Sequence, residues 1–200
     1  VMEIRMNEKT YHHGDLRGAL VRAGRAILAR EGLAALSLRA CAREAGVSHA
    51  APQHHFRNLA ELQSAIAASG FDDFVEALDI GASAAVNPRD ALIAMGQAYV
   101  RFAGRDPALY RMMFGVEAPN VKTDGLMQAM DRAWMQLHGA VSGITGLTET
   151  AASDAMLVWS VVHGHAMLEA AHCIPGSVDT RSQLAHALNA LTDGLTGGKR

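Results

Sequence analysis

The sequence predicts an all-α protein, and three observations support that class. Half of the 200 residues are hydrophobic, and β-branched and aromatic residues are not enriched over Ala, Leu and Met, a balance that favours helices. Apolar residues recur every three or four positions, and no convincing stretch alternates like a half-buried strand. The length suits one large domain or two small domains that share a core.

The first predicted helix carries an apolar stripe. Leu16, Leu20, Ala23 and Ile27 fall at offsets of 0, 4, 7 and 11, which puts them on one face of an amphipathic helix. Gly32 is expected to end this helix, because glycine adopts the left-handed backbone of a helix end without steric cost.

Three residues with short polar side chains are expected to cap the next helices. Ser37, Ser48 and Asn58 each precede a helical pattern, and a side-chain oxygen at that position accepts a hydrogen bond from a free backbone N–H group. Glycines provide the breaks between the first of these helices. The predicted helices cover residues 38–45, 49–55 and 59 to about 83.

Two later helices are expected to begin with proline. Pro88 follows Asn87, and Pro107 follows Asp106. Proline suits the first helical position because its missing N–H would have no partner there. Periodicity predicts three more helices, over residues 124–142, 150–172 and 180–195, which brings the expected total to about nine.

Residues 37–55 are predicted to form a helix, a tight turn at Gly46 and a second short helix. This order is typical of the helix-turn-helix, whose second helix enters the major groove of DNA. With Ser48 as the cap, Pro52 would be the fourth residue of the short helix. It costs little there because the first four N–H groups of a helix have no partner within it, whereas proline deeper inside costs about 3 kcal/mol.

The short helix combines small residues with side chains that can contact DNA. Ala50 allows the backbone to approach base edges, and Gln53 can pair with adenine through two hydrogen bonds. The predicted DNA contacts are Ser37, Arg39, Ser48, His49, Ala50, Gln53, His54, His55, Arg57 and Asn58. The alternative is an ordinary connection between two helices, in which His54 or His55 packs or caps. Phe56 is expected in the core in both cases.

Several short motifs occur in a fixed order in the first third of the chain: Glu31-Gly32, Ser37, Ala45-Gly46-Val47-Ser48, His55-Phe56 and Asn58. With these motifs, the segment 19–67 resembles the DNA-binding domain of the TetR family of bacterial transcriptional regulators. The segment 11–17 also resembles the lead into the first helix of some members. The resemblance implies a helix-turn-helix that binds double-stranded operator DNA.

Two positions depart from the family pattern. Gln53 stands where the family usually has a tyrosine that often contacts phosphate, and Leu59 stands where a lysine commonly opens the fourth helix. Phosphate contacts are therefore expected to fall more on Arg57, on the helix N-termini and on the arm before the first helix.

Two segments of the second half, Phe102–Gly115 and Trp159–Gly164, resemble more loosely the C-terminal domain of one TetR branch, in which Trp, His and Gly recur at this spacing. The resemblance implies a body that binds a small-molecule effector and joins two copies into a homodimer. Two helices per subunit could form a four-helix bundle across a two-fold axis. The predicted dimer contacts are Trp159, Met167, Leu184, Leu188 and Leu191, and the alternative is that the leucines cover the protomer's own core.

The second half is rich in methionine, whose flexible thioether suits a pocket for varied apolar ligands. Aromatic residues and one histidine could add walls and polar contacts. The predicted ligand contacts are Tyr99, Tyr110, Met113, Trp134, Met156, Trp159 and His163. The alternative is that the methionines only fill the core.

Two other kinds of control remain open for the same fold: a metal-sensing body and a body controlled by a protein partner. His163, His165, His172 and Cys173 are ligand-type residues, but the first two point about 200° apart on one helix because each residue turns by about 100°. No nucleophile, phosphate-loop or zinc-protease motif occurs, so neither an enzyme nor a cofactor is predicted.

Charge and composition complete the prediction. Residues 1–62 hold nine basic and six acidic side chains, whereas residues 63–200 hold nine and fourteen, so a mildly basic head would meet a polyanion. The absence of a long apolar run or a C-x-x-C pair predicts a cytoplasmic protein without a membrane span and with reduced thiols. We therefore expect a DNA-binding domain over residues 10–62 and an effector and dimerisation domain over 63–200, forming a repressor that an apolar effector releases from DNA.

Overall fold

The computed structural model describes residues 15–146 and 149–197, and all regular structure within these ranges is helical. This confirms the predicted all-α class, and the expected total of about nine helices is close to the eight α-helices and two short 3₁₀ helices observed. The α-helices are α1 Leu16–Glu31, α2 Leu38–Glu44, α3 Leu59–Ala82, α4 Pro88–Arg105, α5 Pro107–Phe114, α6 Asp124–Thr145, α7 Ala151–Ala170 and α8 Thr180–Gly197. None of these described helices is long and apolar enough to cross a membrane.

Side-chain caps begin the helices where the sequence predicts them. The Ser37 hydroxyl accepts a hydrogen bond from the N–H of Ala40 at 3.1 Å. The Asn58 side chain accepts one from the N–H of Glu61 at 3.0 Å. Each bond satisfies a backbone donor that the helix itself leaves free. Gly32 follows α1 with a φ of 80°, a backbone conformation that suits glycine.

The segment after Gly46 differs from the prediction. Residues Ala51–His54 form a 3₁₀ helix rather than an α-helix over 49–55, and its N-cap is Ala50, without a side-chain hydrogen bond. The Ser48 cap was therefore predicted wrongly: the Ser48 carbonyl, not its hydroxyl, accepts the N–H of Ala51 at 3.0 Å. The physical reason is that the segment closes bonds between residues three apart, the 3₁₀ pattern, while Pro52 offers no N–H.

The helix α3 links the two parts of the molecule. Its first half packs on α1, where Ile66 Cδ1 lies 2.5 Å from the position that a Cβ on Gly24 would take. Its second half contributes the buried Phe71 and Phe74 to the remaining helices. We call α1, α2, the Ala51–His54 helix and the start of α3 the head, and the rest the body. Because α3 is one continuous helix, the predicted domain boundary at residue 62 lies inside it.

Candidate DNA-binding surface and effector cavity

The predicted DNA contacts lie on the outside of the head. Ser37 is partly exposed, and the other nine are exposed: Arg39, Ser48, His49, Ala50, Gln53, His54, His55, Arg57 and Asn58. The segment that carries most of them packs against α2. The structure therefore brings together a polar, solvent-facing surface at the position of a helix-turn-helix.

The inner side of this surface is anchored by Pro52 and Phe56, which are both buried. The Pro52 carbonyl accepts the N–H groups of His55 at 3.0 Å and Phe56 at 2.9 Å. The Phe56 ring is 2% exposed, and the guanidinium carbon of Arg17 lies 5.1 Å from its centroid. Pro52 thus anchors the Ala51–His54 segment to the core of the head, while its exposed neighbours face solvent.

Some charged side chains of the head surface form ion pairs with each other. The Arg57 guanidinium lies 2.8 Å from the Glu61 carboxylate, although 89% of the arginine side chain is exposed. Glu61 also accepts the backbone N–H of Arg57 at 2.9 Å. Leu59, which replaces a common lysine, packs partly buried against the core. A phosphate at Arg57 would therefore have to share the guanidinium with Glu61.

The body contains a partly open apolar cavity of about 340 Å³, which we call the first chamber. Its walls come from helices α3 to α7. The lining residues are Phe71, Phe74, Leu78, Leu92, Met95, Gly96, Tyr99, Met113, Phe114, Met130, Asp131, Ala133, Trp134, Leu137, Met156, Val158, Trp159 and Val162. Its volume and apolar walls fall in the range of small-molecule sites.

A neighbouring space of about 450 Å³, the second chamber, shares six wall residues with the first. These six are Phe71, Met113, Phe114, Met130, Met156 and Trp159. The second chamber adds polar side chains to the shared wall, among them Lys122, Ser160 and His163. The two chambers therefore adjoin and differ in polarity.

The seven predicted ligand contacts divide between the chambers. Tyr99, Met113, Trp134, Met156 and Trp159 line the first chamber. His163 lines only the second. Tyr110 lines neither and instead bonds to the wall residues Tyr99 and His163.

Sequence reasoning missed the aromatic residues Phe71, Phe74 and Phe114. The first two lie three positions apart in α3, a spacing that predicts a buried face. That spacing does not distinguish a cavity wall from a filled core.

A hydrogen-bond network joins three wall residues, Tyr99, Trp159 and His163, to Tyr110 behind them. The Tyr99 hydroxyl lies 3.1 Å from that of Tyr110 and 2.8 Å from His163 Nδ1. The Tyr110 hydroxyl lies 2.9 Å from the same nitrogen. Trp159 Nε1 donates to the Tyr99 oxygen at 3.3 Å. The network joins α4, α5 and α7 at the junction of the two chambers.

Burial sets the protonation of this network. It lowers the pKa of His163 below its ordinary value and raises the pKa of Tyr99. Burial likewise raises the pKa of Tyr110 far above its usual range. Desolvation disfavours the charged form of each group, so the imidazole and both phenols are neutral near pH 7.

The predicted dimer contacts are only partly available to a second copy. Leu184 and Leu188 are 2% and 0% exposed and pack in the protomer's own core, where the Leu188 side chain fills the space beside Gly96. Trp159 belongs to the cavity wall but stays partly exposed. Met167 is exposed and Leu191 is partly exposed. Two of the five side chains are therefore covered by the protomer itself, and the dimer contacts stay a prediction.

The exposed face of α7 offers a different apolar stripe. Leu157, Val161, Gly164 and Leu168 follow one another at spacings of four, three and four residues and share one helix face. Leu157 and Leu168 are 45% and 52% exposed. A Cβ added at Gly164 would meet nothing within 4 Å, so the stripe leaves room for close approach.

The histidine and cysteine side chains of α7 and its end do not converge. Over the described ranges, no three His, Cys, Asp or Glu side chains form a group that could hold a metal ion. His165 instead lies 3.8 Å from Glu169 on its own helix. The metal-sensing alternative is therefore not favoured. Cys41 is buried and Cys173 exposed, and both are free thiols.

An exposed helix-turn-helix surface and a helical body with an apolar cavity define a class of two-part DNA-binding regulators. The family model described as bacterial regulatory proteins of the tetR family matches residues 20–66. The model described as the tetracyclin repressor-like C-terminal domain matches residues 92–191. The chain belongs to the TetR family of transcriptional regulators.

Solved structures share the fold of this chain. A protein of unknown function from Rhodococcus sp. RHA1 is 31% identical, with a TM-score of 0.82 over 94% of this chain and 100% of that one. A possible TetR family transcriptional regulator from Streptomyces coelicolor A3(2) is 19% identical, with a TM-score of 0.65 over 92% and 100% of the chains. The Bacillus subtilis regulator FadR, solved with stearoyl-CoA, is 13% identical, with a TM-score of 0.64 over 92% and 100%. A search of curated proteins finds no match.

Proposed function

We propose that this protein is a repressor that binds double-stranded operator DNA as a homodimer and releases it when a small, largely apolar effector fills the body. Residues 10–62 would contact DNA, and residues 63–200 would hold the effector and the partner subunit. The described part of this region begins at Asp15, so residues 10–14 lie outside it.

One observation carries the proposal: α3 belongs to both sites. Its N-terminus, capped by Asn58, lies at the exposed surface of the head. About one turn before its end at Ala82, Leu78 lines the first chamber, as do Phe71 and Phe74. A change in the packing of these side chains moves a helix that also carries the head, so a ligand in the cavity can alter where the head lies.

DNA recognition would rest on the exposed polar face around Gln53. The glutamine amide can pair with adenine through two hydrogen bonds, and the N-terminus of α2 behind Ser37 can direct N–H groups at a phosphate. Helix-turn-helix dimers read half-sites about 34 Å apart. The apolar stripe of α7 around Gly164 is the surface that we propose for pairing two heads at that distance.

Effector and operator would oppose one another. An effector that favours a head spacing different from the one DNA requires lowers operator affinity, and operator DNA lowers effector affinity by the same factor. The apolar walls of the first chamber support an apolar effector. FadR, which shares the fold, is described with stearoyl-CoA, a ligand that contains a long apolar chain.

The test is fluorescence anisotropy with a duplex from the region upstream of the protein's own gene. Titrations at two salt concentrations, with unrelated DNA as competitor, separate specific binding from electrostatic contact. We expect tight, competitor-resistant binding with two protomers or more per site. Weak binding that is equal for both duplexes and lost at higher salt would contradict the proposal.

A further inference from the structure

The two chambers differ in the hydrogen-bonding groups that a ligand would meet. The first chamber is mostly apolar. Its polar groups are the Tyr99 hydroxyl and the Trp159 N–H, which the buried network uses, the indole N–H of Trp134, and Asp131, an exposed residue of its rim. The second chamber is lined by Lys122, Ser160 and His163. The Ser160 hydroxyl donates to the carbonyl of Met156 at 2.9 Å, so its proton is not available to a ligand.

The buried network determines which nitrogen of His163 carries the proton. The Tyr99 oxygen, the Tyr110 oxygen and His163 Nδ1 form a triangle with sides of 3.1, 2.8 and 2.9 Å. If Nδ1 is bare, Tyr110 donates to Tyr99, Tyr99 donates to Nδ1, and every proton has an acceptor. If Nδ1 carried a proton, one hydroxyl would have no acceptor within the network, a buried donor that costs about 1–3 kcal/mol. Nδ1 is therefore the acceptor, and the neutral ring carries its proton on Nε2.

The Nε2–H group faces away from the network because the two ring nitrogens of imidazole point in nearly opposite directions. His163 borders the second chamber, and Nε2 has no hydrogen bond to any described residue. Lys122 is exposed and likewise has no ion pair within the described ranges. The second chamber thus offers a neutral N–H donor and an ammonium group.

We propose that the effector is an elongated amphipathic carboxylate, whose apolar chain occupies the first chamber and whose carboxylate accepts hydrogen bonds from His163 Nε2–H and Lys122 in the second. Asp131 favours this direction, since its carboxylate at the rim of the first chamber repels an anionic head there. The assignment rests on the proposed function, because it names the chemical class of that function's effector.

The cavity contains its own reporter. The chain has two tryptophans, Trp134 and Trp159, and both line the first chamber. Tryptophan fluorescence therefore measures binding directly, without DNA. The probes are decanoate, decanol and decylamine, which share one chain and differ in the head group. We expect decanoate to bind about 10- to 100-fold more tightly than decylamine, as charge-assisted hydrogen bonds predict, with decanol between them.

Three variants separate the head-group contacts. His163→Phe removes the N–H donor and should weaken decanoate binding about 10- to 100-fold, with a smaller loss for decanol. The matched control is His165→Phe, the same change two residues along α7, at a side chain that lines neither chamber; it should leave all three affinities unchanged. Lys122→Gln, an exposed change that spares the buried network, should weaken decanoate a few-fold and leave decanol unchanged.

The outcomes separate this inference from the proposed function. Equal binding of the three probes, tighter binding of decylamine, or no binding of any probe would overturn the carboxylate assignment. So would a decanoate affinity that neither His163→Phe nor Lys122→Gln changes. If decanoate binds with the expected dependence on His163 but leaves DNA affinity unchanged, the ligand class stands and the proposed effector control of DNA binding fails.

Discussion

The head surface and the body cavity are built in opposite ways. The head surface is exposed and polar, and most of its residues come from one stretch, Ser48–Asn58, which the buried Pro52 and Phe56 anchor. The cavity is concave and apolar, and its walls come from helices spread over 92 residues of chain between Phe71 and Val162. Exposed side chains of the head can therefore change without disturbing the core, whereas the buried side chains of the cavity wall also hold the body together.

The largest expected effect is on the cavity side of this comparison. Phe74 is 4% exposed, and its ring meets Tyr99 edge-on at a centroid distance of 5.0 Å. Phe74→Ala should lower the free energy of unfolding by about 3–5 kcal/mol, since it removes buried contacts and enlarges a cavity. Urea unfolding measures this. A loss under about 1 kcal/mol would show that the chamber wall carries little of the body's stability.

On the head, Gln53→Ala should change DNA affinity and leave stability nearly unchanged. It should weaken operator binding by about 1–3 kcal/mol, because one bidentate base contact is lost, while leaving the free energy of unfolding within about 0.5 kcal/mol. Anisotropy and urea unfolding measure the two quantities. The control is Gln183→Ala, an exposed glutamine of α8 in the body. Equal DNA affinity for the two variants would remove Gln53 from the recognition surface.

A third change asks whether the body has a second functional surface. Leu168→Arg places a charge in the exposed apolar stripe of α7 and should convert a dimer to monomers at micromolar concentration, because a buried unpaired charge is strongly unfavourable. Sedimentation equilibrium measures the mass. The control is Val86→Arg, at an 89% exposed valine outside the α7 stripe, which should leave the measured mass unchanged. A dimer that survives Leu168→Arg would place the interface elsewhere.

The two cysteines sharpen the contrast between buried and exposed groups. Burial, together with the nearby Glu44 carboxylate, raises the pKa of the Cys41 thiol to about 11, so it carries almost no reactive thiolate near pH 8. Cys173 is exposed. A thiol-specific chromogenic reagent should modify one thiol quickly in the folded protein and the second only in denaturant. Rapid loss of both would contradict the packing of α2 on α1.

The smallest effect concerns acid stability. Because burial lowers the pKa of His163 in the folded protein, the unfolded chain binds a proton first as the pH falls through about 6.5. The folded state is thus favoured above this pH and loses stability below it. His163→Gln should show a shallower decline in unfolding free energy between pH 7 and 5 than the wild type. Parallel curves for the two proteins would contradict a buried neutral ring.

The contrast between the head surface, built from one short stretch, and the cavity, built from distant helices, explains how much of the structure could be predicted from the sequence. Ser37, Gly32 and Asn58 act within three or four residues of their own positions, so caps and helix limits could be predicted locally. The network of Tyr99, Tyr110 and His163 could not, because its members are up to 64 residues apart and meet only through packing. Leu184 and Leu188 show the same limit: their spacing marks an apolar face but not which neighbour covers it.

The 3₁₀ winding of Ala51–His54 has a consequence for how much information one head can read. A 3₁₀ helix rises about 2.0 Å per residue, and side chains three apart eclipse one another. Four residues therefore span about 8 Å, between two and three base-pair steps of about 3.4 Å along a DNA strand. Within that length the side chains of Ala51 and His54, three residues apart, lie along a single line. So few base contacts distinguish few DNA sequences. A site that is rare in a genome would therefore need a second half-site, read by a second head.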